Sequence, residues 1–442
     1  MAMVTKPGAA EEPYEKAGDL LILALLSSVA GGLAGLMGSL FRLALIRADH
    51  ARDALLVWAH GQKVGGCLLV TAACAGATAI AAWLVRRFAP LASGSGIPSV
   101  EAALDGKVHH TILGLIPVKF FGGVLAIGSG LALGREGPSV QMGACIAHRL
   151  GNICHRNWPD VRVLIAAGAG AGLATAFNAP IAGAVFVLEE LVRRFEPRIA
   201  MAALGASSSA IFVSRFFLGA GSDFHAQAFA FPSNRVRALF FVLGAVAGLA
   251  AVAYNHAILG ALAAADKLRR CPVEIRAALI GAAVGMLAWF APEVVGGGDR
   301  ITQATLLGVG TLAMLPLLFL LRFGLGAMSY AAATPGGLFA PMLVLGAELG
   351  LFFGILCRNL FSGLTIQPEA FALVGMGAFF CGVVRAPLTG IVLVTEMTGN
   401  DTLLLPMIGA CFMAMLVPAL LRNSPIYESL RDRQTAVRQS RD

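Results

Sequence analysis

Long apolar runs, interrupted by glycines, extend through this sequence from Leu20 to Leu421. Of the 442 residues, 57% are hydrophobic and only 13% are charged. Soluble domains carry about twice that charged fraction. Apolar stretches of this length are typical of helices that cross a lipid bilayer. We therefore expect an all-α polytopic membrane protein.

The 53 glycines recur every few residues within the apolar runs. Several runs, such as 168–177, are in our interpretation too short or too broken for a full span of about 20 residues. Broken helices survive in lipid only where protein or a polar cavity covers the freed backbone groups. Small residues also let helices approach closely. The pattern predicts a compact bundle of tilted, broken and re-entrant helices.

The charged residues mark the ends of the apolar runs. The net charge is +8, and arginine pairs stand at 86–87, 193–194 and 269–270. This distribution is typical of cytoplasmic loops, so we do not expect nucleic-acid binding. Residues 1–19 lack the features of a signal peptide and predict a cytoplasmic N-terminal segment. The arginine-rich tail at 431–442 predicts a cytoplasmic C-terminus, in a multi-pass protein of the inner (plasma) membrane.

The membrane part contains an internal repeat. The glycines, the Ala-Pro pair and the glutamate of 168–189 recur in 375–396, at a constant offset of 207 residues. The pattern of 134–144 recurs in 337–347, at an offset of 203 residues. A polar loop within 221–237 separates the halves, so we predict a first membrane repeat at 20–225 and a second at 236–430. Duplication with discontinuous helices is typical of transporters that bind substrate where the repeats meet.

Four segments combine a break in the apolar pattern with the start of a helix, at 93–104, 133–144, 334–347 and 423–430. A helix N-terminus offers free N–H donors and a partial positive charge. Several such ends around one cavity would bind an anion without a full positive charge. A weak site of this kind suits permeation, because a strong one would hold the ion too long.

Glu136 stands between Gly134 and Gly137 in the second of these segments. A carboxylate inside a membrane is a functional candidate by default. When ionised, it could occupy the place of the anion at the same N–H groups, and when protonated it could leave. One side chain would then exchange an anion for a proton. The alternative is that Glu136 only caps a helix or pairs with Arg135.

The GSGIP of 94–98, the GREGP of 134–138, the GGLFAP of 336–341 and the tyrosine of SPIY at 424–427 resemble the CLC family of chloride channels and proton-coupled chloride exchangers. The resemblance extends over about residues 20–430. It implies a membrane fold of two inverted repeats and a homodimer in the lipid bilayer. It also implies chloride transport, as proton antiport in the main interpretation and through a passive, voltage- or pH-gated channel in the alternative. Chloride ions and protons are the expected partners, and no cofactor or metal ion is expected.

The resemblance further assigns the site residues. Glu136 corresponds to the gating glutamate, and Glu190 to the internal proton relay with Glu189 as its neighbour. The alternative for Glu190 is a helix-end acid paired with Arg193 or Arg194. The predicted anion-binding residues are Ser95, Gly96, Ile97, Arg135, Gly137, Leu338, Phe339 and Tyr427. A serine at position 95 favours chloride, whereas Ser99 replaces a glutamate that is frequent in the family.

The remaining motifs receive structural interpretations. The GGGD of 296–299 resembles a pattern of intramembrane aspartyl proteases, but the chain has no Tyr-Asp dipeptide and no HExxH motif, so we predict no enzyme. The eight cysteines form no CxxC pair, and the pair His109-His110 has no acid or cysteine at metal-ligand spacing. Lys119 and Arg385 are interpreted as residues that pair with carbonyls or acids, and Glu396 as a mark of a helix end.

Overall fold

The computed structural model describes residues 17–106, 112–268 and 270–439. The pair His109-His110, most of the predicted segment 1–19 and the end of the arginine-rich tail lie outside the described residues. Within the described ranges the chain forms seventeen α-helices. Those of the first half are α1 (Ala17–His60), α2 (Lys63–Phe88), α3 (Ile97–Leu104), α4 (Ile112–Gly128), α5 (Glu136–Ile153), α6 (Trp158–Phe177), α7 (Pro180–Phe186) and α8 (Pro197–Leu218).

The second half follows after a non-helical stretch at 219–233. Its helices are α9 (Asn234–Lys267), α10 (Val273–Phe290), α11 (Asp299–Leu306), α12 (Met314–Tyr330), α13 (Phe339–Leu360), α14 (Pro368–Val384), α15 (Pro387–Thr398), α16 (Leu404–Leu420) and α17 (Ile426–Gln439). Seven helices of the described chain are long and apolar enough to cross a membrane. The predicted boundaries of the two repeats remain a prediction.

The expectation that the run 168–177 is too broken to span is wrong. It belongs to α6, a continuous helix of 20 residues that meets the length of a membrane span. Its glycines are contact points with other helices: a Cβ at Gly168 would lie 2.5 Å from the carbonyl oxygen of Gly143 in α5. A Cβ at Gly170 would lie 2.7 Å from the carbonyl oxygen of Gly183 in α7. Small residues let these backbones touch without interrupting the helix.

The same close crossing occurs in both halves. α5 packs on α6 through Gly143 and Gly168, and α13 packs on α14 through Gly346 and Gly375. A side chain at Gly346 would collide with the backbone of Gly375. α6 and α14 are buried along almost their whole length. These two crossings form the centre of the bundle and fix the positions of α5 and α13, which carry the candidate site.

Two glutamates join the halves by reciprocal contacts. The carboxylate of Glu189 accepts hydrogen bonds from the backbone N–H groups of Leu388 and Thr389 in the first turn of α15, at 2.9 and 2.6 Å. The carboxylate of Glu396 accepts hydrogen bonds from the first turn of α7, at 3.0 and 2.8 Å. Reciprocal contacts between equivalent positions indicate a two-fold relation. Glu396 therefore caps a helix of the other half.

Candidate functional site

The site is built where three helix starts meet. The segment 334–337 is hydrogen-bonded to the loop before α3, with Gly94 N–H donating to the carbonyl of Thr334 at 3.0 Å and Gly336 N–H to the carbonyl of Gly94 at 3.1 Å. The same segment pairs with the loop before α5. There Gly134 and Gly337 exchange two backbone hydrogen bonds of 2.9 and 2.7 Å. These bridges hold the N-termini of α3, α5 and α13 together.

Glu136, the first residue of α5, is fully buried at this junction. Its Oε1 accepts hydrogen bonds from the backbone N–H groups of Phe339 at 2.6 Å and Ala340 at 3.4 Å, in the first turn of α13. Its Oε2 has no hydrogen-bond partner among the described residues. The carboxylate therefore lies at the positive end of a helix that belongs to the other half.

Glycines leave room for this carboxylate. A Cβ at Gly134 or at Gly337 would collide with the carboxyl group of Glu136. A Cβ at Gly337 would also lie 2.9 Å from the backbone nitrogen of Gly137. The glycines of the two motifs thus allow two backbones and one acid to share a space that side chains would fill.

The guanidinium of Arg135 forms its ion pairs with other acids, and the described residues show no ion pair between Arg135 and Glu136. Its Nη1 lies 2.5 Å from Asp299, its Nη2 lies 3.3 Å from Asp223, and its Nε donates to the carbonyl of Ala176 at 2.9 Å. Gly134, Arg135 and Ala340 line a cavity of about 80 Å³ together with residues of the segment 292–301, which ends in the first turn of α11. We call this space the outer cavity.

Two buried hydroxyl groups lie beside the helix starts. Ser95 precedes α3 and Tyr427 lies in the first turn of α17, and both side chains are fully buried. The Tyr427 hydroxyl lies near that of Ser95, and neither oxygen meets the geometry of a normal hydrogen bond with a described residue. A buried O–H group without a partner costs about 1–3 kcal/mol. Two such donors in one place therefore indicate a position for an acceptor, such as an anion.

The other predicted anion-binding residues lie at the same helix starts. Gly96 caps α3 in a left-handed conformation with φ of 84°, and Ile97 is the first residue of that helix. Leu338 caps α13. A Cβ at Gly137 would lie 2.7 Å from the Ser95 hydroxyl oxygen, so α5 also approaches this point closely. The structure brings these backbone groups together around one place.

Glu190 lies in a π-helical turn, Val187–Leu191, that follows α7. It is 4% exposed and lies 3.6 Å from the guanidinium of Arg193, so the pairing considered as an alternative is present. The Oε1 of Glu190 nonetheless has no hydrogen-bond partner in the described part of the chain. It lines a cavity of about 600 Å³, which we call the inner cavity.

Glu101 and Arg431 extend the charged network around the turn of Glu190, and neither was predicted from the sequence. Arg193 also lies 3.8 Å from Glu101, a buried acid in α3, and Arg431 of α17 lies 3.5 Å from the same Glu101. Glu101 could have been recognised in the sequence, because it is an acid within an apolar helical motif. The network links the turn of Glu190 to α17, which also carries Tyr427.

An aromatic cluster was also missed, because phenylalanines at helical spacing indicate ordinary packing. The ring of Phe339 has its centroid 5.7 Å from that of Phe186, 4.7 Å from that of Phe380 and 6.0 Å from that of Tyr427. Phe186 lies one helical turn before Glu190. These rings therefore form a contact between the end of α7, which leads into the Glu190 turn, and the start of α13, which binds Glu136.

The structural interpretations of Lys119 and Arg385 are confirmed. Lys119 is fully buried, and its Nζ donates to the carbonyls of Ala92 at 3.0 Å and Gly94 at 2.7 Å, which anchors the loop before α3. Arg385 donates to the carbonyl of Asn423. Asp299, the aspartate of the GGGD pattern, binds Arg135.

A helical membrane bundle in which two related halves direct helix N-termini and hydroxyl groups to one buried point belongs to the class of anion channels and anion transporters. The family described as voltage gated chloride channel matches residues 76–419. The chain belongs to this family, the CLC family, and the predicted all-α fold of two inverted repeats is confirmed by the comparisons that follow.

Known proteins resemble the chain over nearly its whole length. The H(+)/Cl(-) exchange transporter ClcA of Vibrio parahaemolyticus is 38% identical over 415 residues, which cover 92% of this chain and 89% of the relative. The protein of the same name from Cronobacter sakazakii is 38% identical over 432 residues, with 94% and 90% covered. The crystal structure of a slow cyanobacterial Cl−/H+ antiporter has a TM-score of 0.89 and 31% identity, and the match covers 94% of this chain and 98% of that one.

Proposed function

We propose that this protein exchanges chloride for protons across a membrane, with Glu136 as the gating glutamate. One observation carries the proposal: the Glu136 carboxylate binds the N–H groups that begin α13, beside the two buried hydroxyls of Ser95 and Tyr427. Relatives named as proton/chloride exchangers support antiport over the passive channel alternative.

The proposed anion site uses hydrogen-bond donors and no cationic side chain. The hydroxyls of Ser95 and Tyr427 donate from two sides, and the N–H groups at the starts of α3, α5 and α13 supply partial positive charge. Gly96, Ile97, Gly137, Leu338 and Phe339 contribute backbone groups. Arg135 contributes through its backbone at the start of α5, since its guanidinium binds acids outside the site.

Exchange follows from competition for the same donors. Ionised Glu136 holds the N–H groups of Phe339 and Ala340 and closes the path to the outer cavity. Protonation removes the charge that these dipoles favour, so the side chain leaves and an anion replaces it. Chloride therefore binds when Glu136 takes up a proton and leaves, and it is displaced when Glu136 loses the proton and returns. This competition couples chloride movement to proton movement.

Glu190 is proposed as the internal proton relay. Its carboxyl group lines the inner cavity, while Arg193 balances its charge from 3.6 Å. Glu189 is assigned a structural role, because its carboxylate caps α15. The aromatic cluster around Phe339 keeps the proton route apolar between Glu190 and Glu136.

The family supports the remaining parts of the proposal. We propose a homodimer in the inner (plasma) membrane, with both termini in the cytoplasm, and no enzymatic activity. Arg86 and Arg87 lie in the last turn of α2, and Arg193 and Arg194 precede α8. These positive charges support the proposed orientation, because cytoplasmic loops carry an excess of positive charge.

The experiment that tests antiport uses purified protein in lipid vesicles. The vesicles are loaded with chloride, an outward chloride gradient is imposed without a pH difference, and the external pH is followed. Antiport predicts that chloride efflux drives protons inward, so that the external pH rises. Chloride efflux at constant external pH would identify a passive channel instead.

Removing either hydroxyl from the proposed anion site tests its composition. Ser95→Ala and Tyr427→Phe are each expected to weaken chloride binding by about tenfold or more, because a hydrogen bond to a charged group contributes on that order. Isothermal titration calorimetry on the purified variants measures the change.

Two matched controls are available for this experiment. Ser207→Ala and Tyr254→Phe remove hydroxyls that are equally buried and have no hydrogen-bond partner in the described chain, in α8 and α9. Their chloride affinity should equal that of the unmodified protein. A similar loss in the controls and the site variants would contradict the assignment of Ser95 and Tyr427.

A further inference from the structure

Another buried carboxyl group lies in α13, the helix whose first turn binds Glu136. Glu348 follows Phe339 by nine residues, about 14 Å along the helix axis. It is 0% exposed, and neither of its carboxyl oxygens has a hydrogen-bond partner among the residues that the structure describes. A single glutamate in a long apolar helix belongs to no motif, so Glu348 was not predicted from the sequence.

Arg322 lies in α12, which packs on α13. A Cβ at Gly298 would lie 2.3 Å from the side chain of Val344 and 2.8 Å from Nη2 of Arg322, so the guanidinium lies beside α13 one turn before Glu348. Arg322 is itself 1% exposed. A buried cation is costly unless a charge of opposite sign and hydrogen bonds compensate it. Glu348 and Asp299 are the acids whose charges act on Arg322, and of these two Glu348 lies in α13.

The hydrogen bonds of Arg322 all go to one loop. Its Nη1 donates to the carbonyls of Val294 at 3.0 Å and Gly296 at 2.8 Å, and its Nη2 donates to the carbonyl of Gly297 at 3.3 Å. A Cβ at Gly298 would lie 2.8 Å from the same Nη2, so the guanidinium is enclosed by this loop. The loop, 294–298, forms part of the outer cavity.

The next residue after this loop reaches the proposed gate. Asp299 begins α11 and binds Arg135 at 2.5 Å, and Arg135 directly precedes Glu136. Arg322 thus binds the carbonyls of the loop 294–298, and Asp299, which follows the loop, binds Arg135. Any shift of the loop moves the acid that fixes the residue next to Glu136.

We propose that Glu348 and Arg322 are positioning residues of the outer gate. Glu348 balances the charge of Arg322, Arg322 fixes the loop 294–298 through three carbonyls, and the loop sets Asp299 against Arg135. The effect on coupling rests on the proposed function of Glu136. The effect on the loop does not depend on it.

The first test is Glu348→Gln, which keeps the shape of the side chain and removes its negative charge. Hydrogen exchange followed by mass spectrometry should show the amides of 292–301 exchanging at least about tenfold faster, because the bonds of an uncompensated arginine are lost locally. Proton movement per chloride in vesicles should fall at least about threefold. Glu274→Gln is the control for the loss of an acid elsewhere, since it removes the partly exposed carboxylate that pairs with Arg86 between α10 and α2 at 2.5 Å.

The second variant separates position from stability. The double substitution Glu348→Met and Arg322→Met removes both buried charges together. This retains a stable fold more readily than the removal of one charge alone. Exchange in 292–301 should stay fast and coupling should stay low in this double variant, although its thermal stability approaches that of the unmodified protein.

Three results would overturn the proposal. One is exchange in 292–301 that stays unchanged in Glu348→Gln. Another is an increase spread evenly over α5, α6, α13 and α14, which would show a general loss of stability. The third is a faster loop with unchanged coupling, which would separate the loop from the gate; the role of Glu136 itself is tested independently by its own substitution.

Discussion

Replacing Glu136 by alanine is expected to abolish chloride-driven proton movement while chloride continues to cross the membrane. The carboxyl group is proposed both to close the outer path and to carry the proton, so its removal eliminates both actions at once. The N–H groups of Phe339 and Ala340 that bind it would then be free for an anion. Parallel recordings of external pH and chloride efflux from vesicles measure the two fluxes.

Glu136→Gln completes this experiment. Glutamine keeps nearly the same size and cannot carry a proton, so proton movement should again be absent, whereas the uncharged side chain no longer competes as an anion. Inward proton movement that persists in both variants, at the ratio to chloride found in the unmodified protein, would show that Glu136 is not the exchanging acid.

The second large effect is expected for Glu190→Gln, which should lose proton movement and retain chloride movement. Glu190 lies in the inner cavity, one turn beyond the aromatic cluster, and its role is proposed for protons alone. Glutamine preserves the shape of the side chain next to Arg193 but cannot exchange a proton. The same vesicle assay gives both fluxes, and chloride binding by calorimetry should stay unchanged.

Glu189→Gln is the matched control for this variant. The two acids are adjacent in sequence, but the Glu189 carboxylate is bound by the first turn of α15. Its replacement should cost stability on the order of 1 kcal/mol, as for other helix caps, and leave coupling intact. Equal losses of proton and chloride movement in Glu190→Gln would instead indicate that Glu190 supports the fold.

The residues of the candidate site could be found in the sequence because the site is made of local motifs. A glycine-rich break followed by a helix start is encoded within a few residues, as at Ser95, Glu136 and Phe339. The internal repeat also indicated that two of these segments, 134–144 and 337–347, occupy equivalent positions in the two halves. The contacts between these segments depend on backbone bridges between distant loops, such as that of Gly134 with Gly337. Such bridges have no pattern in the sequence from which they could be predicted.

Two other features show why the remainder could not be predicted. A glycine that interrupts a helix and a glycine that lets two helices touch look alike in sequence, which is why 168–177 was misinterpreted. The partners of buried charges are equally hidden. Asp299 lies 164 residues from Arg135, and Glu348 and Arg322 lie in two different helices that pack on each other, so neither proximity follows from spacing.

The position of Phe339 has a consequence for the duplicated halves. At the offset of 203 residues, Phe339 is the equivalent of Glu136, and the carboxylate accepts its hydrogen bond from the backbone of its own counterpart. Identical halves would therefore bring two acids face to face on the pseudo-symmetry axis, where like charges repel and one proton would be retained between them. Because the two halves differ at this pair, the site has one titrating carboxyl group and one position for a halide. The carboxylate and the halide can then compete for that position, which two identical halves would not allow.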